Sequence, residues 1–307
     1  MKKAKIEIPV PEQKQQSPLI NIIKIGAKII FTIFAAYLIF TKTDIEKIGV
    51  HLSQMSPAYV LFALLILNFG QVTSAFRMKF YFATEKIFFR KRFVLSIYYI
   101  GMFFNRLLPG GIGGDGYIAY LLKKKKNISL KTSIRLLISS RASGLLQLLI
   151  FVFLLGFMSK LSVEIDHWNL LMIIGMLLSV VSYSFLAKKI LSEKLATQIT
   201  AFKYSIIVQG TVVLASASLF LSEGMNPMLF DYLMLFMISS LVTLIPISFG
   251  GAGMRELTFF YGAAFIGLNA ELGIAVSLVY FLLDTVSSLA GLVLWNRIDK
   301  IPAFKNR

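Results

Sequence analysis

Cysteine is absent from the 307 residues, and histidine occurs only twice, as His51 and His167, each in a short segment between apolar runs. Disulfides, thiolate chemistry and Cys-bound metals are therefore excluded, and a His-based metal or catalytic cluster is not expected. Charge is scarce as well: 15% of residues are charged against 57% hydrophobic, with a mean hydropathy of +0.75. Such a composition rules out an ordinary soluble domain and points to a helical membrane protein. No phosphate-binding P-loop pattern is present, so ATP-driven work by this chain is unsupported and no cofactor is expected. Acidic residues number 15 against 32 Lys and Arg, a net charge of +17. The basic residues sit in short segments beside apolar spans, which fits the positive-inside rule rather than nucleic-acid binding.

Apolar runs at 22–40, 58–75, 134–157, 168–187, 204–221 and 272–295 predict about six full spans. Two further segments, 93–122 and 228–268, are apolar but broken by glycine and proline. The expected division is a polar N-terminus at 1–18, one transmembrane domain at 19–296 and a basic tail at 297–307. Basic clusters place both termini in the cytoplasm. They place there too the segments with Arg77 to Arg92, with Lys123–Lys126 and with Lys188 to Lys203. Segment 93–122 then enters and leaves from the cytoplasmic face, and 228–268 does so from the opposite face. The expected fold is thus all-α and polytopic, with two Gly-broken hairpins in an inverted repeat.

Both breaks carry the same residue types. The first reads Asn105-Arg106-Leu107-Leu108-Pro109-Gly110-Gly111-Ile112-Gly113-Gly114-Asp115, and the second Pro246-Ile247-Ser248-Phe249-Gly250-Gly251-Ala252-Gly253-Met254-Arg255-Glu256. A bilayer tolerates unwound backbone only where protein or a water-filled cavity covers it. Glycines let successive amides converge on an anion, and Arg106 and Arg255 add planar, bidentate donors. Asp115 and Glu256 would balance those charges. The competing reading is that the glycines merely shape turns and the charges form interfacial ion pairs.

Other polar residues interrupt the spans. Arg141 lies about two turns into its helix beside Ser133, Ser140 and Gln147 at heptad spacing, and serves either as a packing residue or as a ligand contact. In the last span Ser277, Tyr280, Asp284, Ser288 and Gly291 share one face, and Asp284 either has a partner such as Arg141 or Arg255 or stays protonated. Gln71 and Gln209 are expected to pack helices, and Trp168 and Trp295 to mark interfacial belts.

At these motifs the chain resembles the membrane region of lysylphosphatidylglycerol synthases, a flippase-like family. The resemblance rests on Asn105 with Pro109-Gly110-Gly111 through Asp115, on Ser140-Arg141 with Gly144, and on Pro246 through Glu256. It implies a multi-pass protein of a prokaryotic plasma membrane that moves a lipid between leaflets. The substrate would be an anionic phospholipid or a polyprenyl-linked lipid, and a separate lipid-modifying enzyme a partner. The candidate binding residues are Asn105, Arg106, Gly110, Gly111, Gly113, Asp115, Arg141, Gly250, Gly251, Gly253, Arg255, Glu256 and Asp284. The alternatives are a membrane-embedded transferase acting on a lipid phosphate, with Asp115 or Glu256 as base, and an accessory scaffold.

Overall fold

The computed structural model describes residues 30, 33–34, 37–38, 41–107, 113–224, 227–245, 251 and 253–304. The expected first span at 22–40 falls largely outside them, as do Pro109, Gly110, Gly111, Pro246 and Gly250. Among the described residues there are eleven α-helices and no strand longer than an isolated bridge. They are α1 (Ile45–Gln54), α2 (Pro57–Thr84), α3 (Lys91–Leu107), α4 (Gly113–Lys126), α5 (Leu130–Phe157) and α6 (Leu161–Glu164). After these come α7 (Trp168–Lys189), α8 (Leu195–Leu221), α9 (Leu229–Val242), α10 (Met254–Ile266) and α11 (Ala270–Trp295). Five of them, α2, α5, α7, α8 and α11, are long and apolar enough to cross a bilayer. The protein is a polytopic helical membrane protein.

Local chemistry accounts for the helix limits. Pro57 starts α2 at the first-turn position, where its missing N–H costs nothing. Asn269 caps α11 by accepting from the Leu272 amide at 2.9 Å, and the Tyr232 hydroxyl ties the same turn to α9. α2 runs nine residues past the expected end of its span, because nothing in 76–84 breaks a helix. Arg77, expected in a basic loop, therefore lies inside α2 and is only 8% exposed. His51 likewise belongs to α1, where its Nδ1 lies 2.7 Å from Glu223 Oε2.

The broken segments are pairs of short helices. α3, α4, α9 and α10 have 17, 14, 14 and 13 residues. At 1.5 Å per residue each is roughly 20–25 Å long, short of the ~30 Å hydrocarbon core. Element order repeats along the chain: a long helix, a broken pair and a long helix in α2–α5, and the same in α8–α11 about 140 residues later.

α7 stands apart. It is apolar on all sides, only 6% of its apolar window is buried, and it packs chiefly on α5. An all-round apolar helix at the periphery faces lipid.

Candidate functional site

The two breaks meet. A cavity of about 360 Å³ lies between them, lined by residues of α2, α3, α4, α5, α10 and α11. Asn105, Arg106, Asp115, Arg141, Gly251, Arg255, Glu256 and Asp284 all line it. Gly113 and Gly253 do not: Gly113 opens α4, and Gly253 is the N-cap of α10 with φ +83°. Gly251 is left-handed too, at φ +82°, a conformation that a side chain disfavours. Gly110, Gly111 and Gly250 lie outside the described residues.

Charges pair across the breaks rather than within them. Arg106 of the first break donates to Asp284 of α11, and Asp115 accepts from Arg141 of α5. Asp284, for which Arg141 or Arg255 was the expected partner, instead holds Arg106. A network extends this pair, because Gln71 Nε2 donates to Asp284 Oδ1 at 3.1 Å and the Tyr98 hydroxyl donates to Gln71 Oε1 at 2.9 Å. Gln71 thus belongs to the site and is not simply a packing residue.

The second break is built differently. The Arg255 guanidinium lies over the Phe236 ring at 4.3 Å and the Tyr280 ring at 4.9 Å, two faces that attract a cation. Its Nη1 is buried and has no hydrogen-bond partner among the described residues. Glu256 is 5% exposed; its Oε1 accepts from Ser277 Oγ at 3.0 Å, while its Oε2 has no partner among the described residues. Buried polar groups are ordinarily satisfied, so each orphan here calls for a ligand or water.

Asn105 has a definite local role. Its Oδ1 accepts from the Gly114 amide at 2.8 Å, across the break, and so fixes the start of α4 against the end of α3. The two helices approach so closely that a Cβ on Gly114 would lie 1.9 Å from the Gly101 carbonyl oxygen.

Arg77 was not anticipated as a site residue. From α2 it reaches the cavity, donating through Nε to Ser140 Oγ at 3.3 Å and through Nη1 to Ser205 Oγ at 2.9 Å. An arginine two residues beyond an apolar run looks like a topology signal. Its only sequence clue was the absence of any breaker before Thr84.

Beside the second break lies a separate apolar groove of about 630 Å³ between α5, α7, α9 and α10. Val242 and Met254 line this groove, and their chain neighbours Thr243 and Arg255 line the polar cavity. A polar compartment therefore abuts an apolar one.

Trp168 Nε1 donates to the Gly156 carbonyl at 2.8 Å and Trp295 Nε1 to the Tyr117 hydroxyl at 2.6 Å, so both tryptophans tie elements together.

Residues 25–291 match the family described as Lysylphosphatidylglycerol synthase TM region. No curated protein matches the chain.

Proposed function

Because the chain belongs to the lysylphosphatidylglycerol synthase transmembrane-region family, we propose that it carries a lipid headgroup across the bilayer through the cavity between the two breaks. The observation that carries this reading is the cavity itself. Four guanidinium groups converge on it within a membrane-embedded bundle, next to a groove of the right polarity for acyl chains. Uncatalysed movement of a headgroup is slow because its polar groups lose their water in hydrocarbon. Pre-placed donors replace that water and lower the barrier.

In the resting state Asp284 occupies Arg106 and Asp115 occupies Arg141. An entering phosphate displaces the carboxylates from these arginines and meets Arg255, whose Nη1 is already desolvated and unpaired. The planar forks of Arg106 and Arg255 suit a phosphate's oxygens, as lysine would not. Acyl chains stay in lipid or in the apolar groove. The repeated element order, with basic segments beside alternate spans, supports the orientation in which the two broken pairs enter from opposite faces and the termini are cytoplasmic.

A transferase would need a free general base in this cavity. Two of the three carboxylates are engaged by arginines, which favours transport, and Glu256 is the residue a transferase would have to use.

Purified protein in liposomes should accelerate transbilayer movement of a fluorescent phospholipid while leaving its mass unchanged, and Arg255→Ala should lose most of that acceleration. Failure to move any phospholipid class, together with consumption of a lipid-phosphate donor and appearance of a new lipid, would establish the transferase reading instead.

A further inference from the structure

The charges lining the cavity do not balance. Four guanidinium groups, on Arg77, Arg106, Arg141 and Arg255, face three carboxylates, on Asp115, Glu256 and Asp284. Arg106 is paired with Asp284 and Arg141 with Asp115. Arg255 and Glu256 are consecutive and both line the cavity, so their opposite charges offset each other in the count. The remaining cation is Arg77. The undescribed residues of the two breaks, 108–112, 246–250 and 252, contain no ionisable side chain and leave this count unchanged.

Arg77 is also the most firmly held of the four. It is 8% exposed, and three helices converge on it: its own α2, α5 through Ser140, and α8 through Ser205. Gly144 of α5 makes room for it, since a Cβ there would lie 3.0 Å from Nη1. Among the described residues no carboxylate lies within ion-pair distance of Arg77, and Arg141, next to its partner Ser140 in the chain, is another cation already engaged by Asp115. Serine hydroxyls accept from its Nε and Nη1 but do not neutralise its charge. Within a bilayer an uncompensated charge is expensive and marks a site that some other group completes.

We infer that the occupant of the cavity is a headgroup of net charge −1, and that Arg77 is the fixed cation that selects it over zwitterionic headgroups. The inference rests on the reading of the occupant as a lipid headgroup. The physical basis is that the lining is left with one positive charge in a medium of low dielectric, and an occupant bearing one negative charge restores neutrality. A zwitterionic headgroup leaves Arg77 unbalanced. The two ion pairs adapt to the occupant, whereas Arg77 is locked among serines and sets the charge that the cavity demands.

The test is native mass spectrometry of the intact protein in detergent, titrated with phosphatidylglycerol or phosphatidylcholine of identical acyl chains. Wild type should prefer phosphatidylglycerol by about tenfold, equivalent to about 1.4 kcal/mol. Arg77→Lys should keep most of that preference, because the charge stays in place. Arg77→Gln should abolish or invert it. Asp284→Asn, which adds one net positive charge to the lining, should shift preference in the opposite direction, toward dianionic phosphatidic acid. Equal wild-type binding of the two lipids overturns the inference. So does full retention of the preference in Arg77→Gln, which would assign it to surface lysines. Should Arg77→Gln fail to fold, the Asp284→Asn arm decides, and absence of its shift overturns the inference. Transport is measured separately: a charge preference without lipid movement sinks the transport proposal alone, and movement without charge preference sinks this inference alone.

Discussion

The two Gly-broken hairpins look alike in sequence and differ in how they hold their charges. In the first, α3–α4, Arg106 and Asp115 each form an ion pair with another helix. In the second, α9–α10, Arg255 is held between aromatic rings and Glu256 by a single serine. Packing follows the same division. Nine of the 14 residues of α9 are buried, against six of the 17 of α3, so the second hairpin sits deeper in the bundle. A repeated motif thus holds its charges in two ways. The first uses ion pairs to other helices, and the second leaves Arg255 Nη1 buried without a hydrogen-bond partner among the described residues.

The strongest test of that contrast sets Arg106→Ala against Arg255→Ala. Removing Arg106 strands Asp284 in the bundle and should cost about 3 kcal/mol of stability, partly restored by adding Asp284→Asn. Removing Arg255 strands no carboxylate at ion-pair distance, so the fold should hold while lipid movement falls about tenfold or more. Thermal unfolding in detergent and a liposome transport assay separate the two effects, and equal unfolding losses would erase the distinction.

Backbone approach differs next. In the first hairpin a Cβ on Gly114 meets the Gly101 carbonyl, which cannot yield. In the second a Cβ on Gly262 meets the flexible end of Leu235 at 2.4 Å. Gly114→Ala should therefore cost about 2–3 kcal/mol and Gly262→Ala less than about 1 kcal/mol, measured by denaturation in detergent.

Smaller still is the aromatic contribution. Phe236→Leu keeps apolar bulk but removes one face from Arg255, whereas Phe281→Leu does the same to Arg106, whose guanidinium lies 4.7 Å from that ring. The first should weaken lipid binding by about 1 kcal/mol, and the second by less, because Asp284 still holds Arg106.

A last contrast concerns two carboxylates outside the cavity. Glu193, in the segment before α8, faces the hydroxyls of Tyr81 and Tyr183 at 3.5 and 3.4 Å, and burial raises its carboxyl above the ordinary glutamate value of 4.5. A raised folded-state pKa means that the fold favours the protonated form. Its contribution is complete below about pH 4.5 and is lost as pH rises through the raised value. Glu193→Gln should flatten the pH dependence of thermal stability across that window. Asp231 of α9 accepts from Ser159 at 2.5 Å and from the Lys160 amide at 3.1 Å. Asp231→Ala removes both bonds and should lower stability by about 1–3 kcal/mol.

Much of this protein was legible in its sequence. Twenty-residue apolar runs have few fates other than spanning a bilayer, so α2, α5, α7, α8 and α11 could be read from composition alone. Glycine and proline inside such runs must break a helix, which disclosed both short-armed hairpins and, of the cavity lining, Asn105, Arg106, Asp115, Gly251, Arg255 and Glu256. The polar face of α11 was legible as well: Ser277, Tyr280, Ser288 and Gly291 are buried, since residues three or four apart share a side of a helix.

Pairing was not legible. Which arginine meets Asp284 depends on α3 packing against α11, where a Cβ on Gly291 would lie 2.1 Å from the Tyr99 carbonyl oxygen. No spacing along the chain encodes that approach. Arg77 shows the limit most clearly, because its position just past an apolar run matches a surface anchor, and only the convergence of α2, α5 and α8 turns it inward. Periodicity and breakers act within a helix and fix what each segment is. Charge partners, ring faces and cavities arise between helices, and only their three-dimensional packing decides them.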